Sequence, residues 1–160
     1  MAYLNLGENM RLIYDFKKEM ETKRKKEFIE EVRALSLNQD NPFGIKKDKG
    51  LFASDEWWHS VDCGKIITET VSGTILSLYE AGMEIRRVPN SFRFVDSSGA
   101  IRDESMYMNN KSDRRLFAVG KEIMIFYAYD ELKKSTQRPS APLDLENNYV
   151  GQVIEMAISK

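Results

Sequence analysis

The run Ile123-Met124-Ile125-Phe126-Tyr127-Ala128-Tyr129 constrains the fold most, because it is apolar at successive positions and therefore on both faces of any strand it forms. Such a strand belongs in the middle of a sheet, covered from both sides. Its seven residues fall well short of the roughly 18 apolar residues that read as a bilayer span, so it is core and not an anchor.

From Ile66 onward, β-branched and aromatic residues dominate in short runs bounded by turn residues. This rhythm predicts strands over 67–79, 83–88, 92–96, 101–108, 121–129 and 150–158, the last returning to close the sheet. The hairpin from Phe92 through Asp96-Ser97-Ser98-Gly99 to Met108 is the plainest, since Gly99 supplies the positive φ such a loop needs. Ser112 to Val119 reads as a one-turn helix capped by Ser112 and ended by Gly120. Residues 135–148, which include Pro139 and Pro142, read as an exposed loop.

Ahead of the sheet, Glu8 to Ser36 contains neither Pro nor Gly and is rich in Glu, Lys, Arg, Met and Leu, which predicts a long N-terminal helix. Leu12, Ile13, Phe16 and Met20 form one apolar stripe at helical spacing, and Phe28, Ile29, Val32 and Leu35 form another. The intervening stretch Glu21 to Glu27 has no apolar face, so the helix either bridges solvent there or bends. Its Lys23 to Lys26 cluster reads as helix surface, because Glu19 and Lys23, and Glu21 and Lys25, are favourable i,i+4 pairs. The stripes serve equally for packing on the sheet or for homodimerisation. The fold class is α+β: this helix, straight or bent, on a mostly antiparallel five- to six-stranded sheet or small barrel.

The succession Val71-Ser72-Gly73-Thr74-Ile75-Leu76, a hairpin, a short helical turn closing on Val119-Gly120 and then an apolar strand resembles the small bacterial β-barrel domains of the OB-like kind, over roughly residues 66–130. The resemblance implies a barrel and no particular function, since such barrels bind nucleic acid, sugars or proteins.

At 160 residues one domain is expected, with 66–130 as its β core. The 24 Lys and Arg against 25 Asp and Glu leave a net charge of −1, without the basic excess that phosphate backbones attract, so nucleic acid is not favoured as a partner. The N-terminus lacks the pattern of a classical secretion signal, and a single Cys63 permits no internal disulfide, which suits the cytoplasm. No membrane association is expected. One His and one Cys cannot build a structural zinc site, and the acidic residues follow no EF-hand spacing, so no metal is implied. Gly44-Ile45-Lys46-Lys47-Asp48-Lys49-Gly50 lacks the Gly-Lys-Ser/Thr ending of a phosphate-binding loop, and no dinucleotide fingerprint occurs, so no cofactor is implied either.

Asp55 to Gly64 holds both tryptophans, the only histidine and the only cysteine. Cys63 with His59 and Asp62 or Asp55 contains the parts of a nucleophile, base and orienting carboxylate, which makes a small Cys/His hydrolase one alternative, although no nucleophile motif surrounds Cys63. Tryptophan also anchors interfaces, with core packing expected for at least one of the pair. The binding candidates are therefore Trp57, Trp58 and His59, and a second group of Tyr107, Met108, Arg114 and Arg115 beside Met106. Tyr79, Phe92, Phe94 and Tyr107 with Arg86, Arg87, Arg93 and Arg102 motivate the other alternative, an OB-like binder of single-stranded nucleic acid. With no catalytic or cofactor motif, the leading reading is a non-enzymatic module that binds another protein, such as an adaptor or a toxin-neutralising immunity protein.

Overall fold

A computed structural model describes residues 2–82, 87–133 and 148–160. The elements are β1 (Met10–Asp15), α1 (Phe16–Glu19), α2 (Lys23–Leu37), α3 (Asp55–Asp62), β2 (Ile67–Tyr79), β3 (Ser91–Asp96), β4 (Ile101–Ser105), a 3-10 helix (Lys111–Leu116), β5 (Glu122–Glu131) and β6 (Tyr149–Ser159). The strands form one six-stranded sheet in the order β1-β6-β5-β2-β3-β4. The expected strand over 83–88 and loop over 135–148 fall largely outside the described residues.

The chain opens with a strand and not with the long helix expected over 8–36. Met10 to Asp15 pair antiparallel with Ser159 to Glu155, with a register shift between Leu12 and Tyr14. A long-range partner strand overrides the local helical preference of this segment, and the turn at Met20 to Thr22 then separates α1 from α2. Thr22 caps α2 by accepting a hydrogen bond from the Lys25 N–H at 3.3 Å. Lys23 meets Glu27 at 3.9 Å, one turn on in α2, and Glu19 accepts from Asn109 Nδ2 at 2.8 Å. Of the apolar stripe on α2 only Ile29 is buried. The long helix on which homodimerisation rested is absent.

The sheet is open, with β1 and β4 at its edges, which corrects the barrel expectation. At the β1 edge, Asn109 stands in for a neighbouring strand: its N–H donates to the Ile13 carbonyl at 2.9 Å, its Oδ1 accepts from the Asp15 N–H at 2.7 Å, and its Nδ2 donates to the Asp15 carbonyl at 3.1 Å. The β4 edge carries Arg102, Asp103 and Glu104, charges that discourage a further strand from pairing there. β5 is interior, as its two apolar faces require, and so is β6, whose residues Val153 to Ile158 are all buried. Glu155 in that run accepts from the backbone N–H groups of Tyr3 and Leu4, at 2.9 and 2.8 Å.

The β3–β4 hairpin forms as expected, its loop held by Asp96 Oδ1, which accepts from Ser98 N–H, Ser98 Oγ and Ala100 N–H. β4 ends at Ser105 and not at 108, with the Met106 N–H donating to the Asn90 carbonyl at 2.9 Å as the last bond in the β3–β4 register before the Asn109 N–H goes to Ile13 on β1. The expected helix at 112–119 is the 3-10 helix, and its cap is Asn110, not Ser112.

By density of contacts the chain divides into two units: Met1–Glu19 with Thr70–Phe126 and Val153–Lys160, and Met20–Glu69 with Tyr127–Gln152. The first has Ile75, Phe92, Phe94, Ile123 and Ile154 among its core, and the second has Ile29, Phe52, Trp57, Val61 and Ile66.

Candidate partner-binding surface

Residues 51–62 carry the clearest local instruction in the second unit. Ser54 precedes Asp55 and Glu56, and its Oγ accepts from the Trp57 N–H at 3.2 Å, so a capped helix with acids in its first turn starts here. Sequence reading left α3 out, although the Ser-Asp-Glu start was its signal. Gly50 lets the preceding loop press on this helix: its φ is 102°, and a Cβ there would lie 2.6 Å from the Trp57 nitrogen.

Helical spacing then sorts the two tryptophans. Trp57, Ser60 and Val61 face inward, whereas Asp55, Trp58, His59 and Asp62 recur at the i, i+3, i+4 and i+7 positions of the outer face. Trp57 is 1% exposed, and its Nε1 donates to Asp130 Oδ1 at 2.8 Å. Trp58 is half-buried and stands edge-on to Trp57, with centroids 4.8 Å apart and planes at 86°. Phe52 meets Trp57 edge-on from another side at 5.3 Å, and Phe28 of α2 meets Phe52 at 6.0 Å. This chain of edge-on rings ties α3 to α2. Asp130 is buried, and its Oδ2 has no hydrogen-bond partner among the described residues. Burial pushes its carboxyl up to about 6, against the opposing pull of the Trp57 hydrogen bond and the Lys49 charge.

His59, Asp62 and Cys63 are exposed at the end of α3. The Cys63 thiol points to the Ser60 carbonyl at 3.9 Å, a contact that supplies no base for a nucleophile.

The second group of candidates lies in the first unit. Tyr107 is packed against Tyr14, centroids 5.1 Å apart, and burial raises both phenols above their ordinary range. Met108 is half-buried beside Asn109. Arg114 and Arg115 are exposed on the 3-10 helix, and Arg114 Nη1 donates to the Pro89 carbonyl at 2.7 Å. The buried Asp113 between them and Lys111 is paired with Arg11 at 3.1 Å. The two groups of binding candidates therefore fall in different units. The proposed base-stacking residues fare differently: Phe92 and Phe94 are fully buried, and Arg93 and Arg102 are paired with Asp103 and Asp96.

Sequence reading also passed over a concavity of about 570 Å³ in the second unit, lined by Ser36, Gln39, Asn41, Lys46, Lys47, Asp48 and Lys133. Among the described residues no group of three or more His, Cys, Asp or Glu side chains converges to hold a metal ion, and no helix is long and apolar enough to cross a membrane.

A family model described as immunity protein RhsI2 matches residues 10–159. Comparison with curated proteins gave no match.

Proposed function

Because the chain belongs to the RhsI2 immunity protein family, we propose that the toxin it neutralises is held on the outer face of α3, with Trp58 as the anchor. An immunity protein acts by binding its cognate toxin, so the partner is another protein. The observation that carries the reading is the support under Trp58. Trp57 lies buried beneath it, pinned through Nε1 to Asp130, and offers its ring edge-on to the second indole. A side chain held in this way loses little conformational freedom when a partner covers it, and rigid aromatic anchors are what dominate interface energies. Asp55, Asp62 and His59 flank the indole on the same face, and the two carboxylates suit cationic groups on the toxin. We place the protein in the cytoplasm, where its single exposed thiol stays reduced.

The test is the affinity of the toxin for the Trp58→Ala variant. We expect binding to weaken roughly thirtyfold or more, the threshold of a hot spot, while the melting temperature stays within a few degrees of the parent. Full affinity in that variant ends the α3 reading.

A second surface is favoured by one observation in the first unit: Asp113 is consumed by Arg11, which leaves the exposed Arg114 and Arg115 without a carboxylate neighbour on their own helix. Tyr107 and Met108 stand beside this ridge in sequence. Loss of toxin binding in Arg115→Glu, with Trp58→Ala silent, would move the interface there.

A further inference from the structure

We infer that the lysine-lined pocket at the C-terminal end of α2 receives an acidic segment of the toxin bearing an apolar side chain. The inference rests on the reading of this chain as a toxin-binding protein and adds a second contact to the one on α3.

The pocket is built before any partner arrives. Lys133 Nζ donates to the carbonyls of Leu35, Asn38 and Asn41 at 2.7, 3.1 and 3.0 Å, which clamps the 38–44 loop onto the end of α2. A cation there also meets the helix carbonyls that have no partner within the helix. The Lys133 N–H donates to the Gly44 carbonyl at 2.9 Å, the Lys46 N–H to the Glu131 carbonyl at 2.8 Å, and Ile45 bridges to Leu132. The wall is thus sewn to the end of β5. Gly44, at φ 101°, lies against Leu35 so closely that a Cβ would meet its Cγ at 3.0 Å. The adjoining loop and helix end leave Phe43 63% and Leu37 50% exposed. Two large apolar side chains so open, interleaved in sequence with the residues that line a preformed pocket, are what an interface would cover.

Charge defines the occupant. Lys46 and Lys49 share Glu131, at 2.7 and 3.9 Å, and Lys47 has no ion-pair partner among the described residues. The residues that line the pocket include three lysines, Lys46, Lys47 and Lys133, against the single carboxylate of Asp48, with Asp40 in the adjoining loop and Glu131 paired to Lys46, whereas the whole chain carries a net charge of −1. A carboxylate is the complement of that surplus, and Phe43 and Leu37 call for an apolar neighbour to it. The Lys49 carbonyl accepts from Ser60 Oγ at 2.8 Å, so the loop that forms the pocket also buttresses α3. A toxin segment in the pocket would therefore continue the α3 contact, with an acidic rim on one part of the surface and a basic pocket on the other fixing its register.

The experiment measures hydrogen exchange on the full chain, alone and with the cognate toxin, together with toxin affinities of Phe43→Ser and Lys47→Glu. In the complex the amides of residues 36–48 should gain protection. We expect affinity to fall roughly thirtyfold for Phe43→Ser and about tenfold for Lys47→Glu, the second with a weaker dependence on salt, and both variants to melt as the parent does. Wild-type affinity in both variants, or no gain of protection over 36–48, would overturn the inference. A loss confined to Trp58→Ala keeps the α3 contact and removes the pocket; a loss confined to Phe43→Ser and Lys47→Glu does the reverse. Failure of the unaltered chain to form any complex with the toxin removes both.

Discussion

Asp130 shows how one residue can couple the α3 face proposed for binding to pH. Its carboxylate is buried with one oxygen bonded to Trp57 and the other without a hydrogen-bond partner among the described residues, and burial lifts its pKa to about 6 from the ordinary 3.8. The folded chain thus binds a proton between pH about 4 and 6 that the unfolded chain has already released, so stability falls as pH rises through that window. Above it the ionised group remains buried at a cost of up to about 3 kcal/mol. We expect urea melts to show greater stability near pH 5 than near pH 7.5, by roughly 1–3 kcal/mol, and Asp130→Asn to flatten that difference while keeping an acceptor for the indole. Asp96 contributes in the opposite sense and at lower pH, since Ser98 first and Arg102 next hold it down to about 2, so its stabilisation is lost only as pH falls from about 4 toward 2. A pH-independent parent would exclude the raised pKa of Asp130. At this scale the sequence was partly legible: the crowding of Trp57, Trp58 and His59 drew notice to the ten residues that hold both indoles, but composition could not say which indole faces inward. Only the α3 spacing, with Ser60 and Val61 on the Trp57 side, separates the half-buried indole from the buried one.

Strands and helices differ in how much of them is local, and this decided which elements the sequence announced. β2 spans 67–79 as its β-branched run predicts, and the β3–β4 hairpin follows from Asp96 and Gly99, whose roles lie within five residues. β1 could not be read that way. Its composition suits a helix, and what makes it a strand is β6, about 140 residues further along, together with Asn109 on its other edge. The weight of that edge is measurable. Asn109→Ala keeps the backbone bond to Ile13 but leaves the Asp15 N–H without its acceptor and removes the Nδ2 bonds to Asp15 and Glu19. We expect a loss of about 1–3 kcal/mol in equilibrium unfolding, with hydrogen exchange accelerated first at Asp15. Unchanged exchange there would mean that β6 alone holds β1 in place.

At the scale of the whole molecule, the expectation of a barrel failed for a related reason: closure depends on which strands meet, and here Asn109 and a charged β4 occupy the places where β1 and β4 would otherwise pair. What the open sheet does instead is carry the chain from one compact unit to the other. β2, β5 and β6 each contribute residues to both units, since the divisions fall within these strands at 69–70, 126–127 and 152–153. A strand cannot lose half its length without loosening the ladder of the other half, so unfolding should be a single two-state transition. For 160 residues the calorimetric enthalpy near 60 °C should be roughly 110 kcal/mol and should equal the van 't Hoff value. Variants provide the sharper form of the test, because Asn109 lies in one unit and Asp130 in the other. If the strands couple the units, Asn109→Ala lowers, and Asp130→Asn at pH 7.5 raises, the midpoint of the same transition. Two resolved transitions, each moved by only one of these substitutions, would show that the units unfold independently and that the proposed toxin-binding face on α3 is stabilised by its own unit alone.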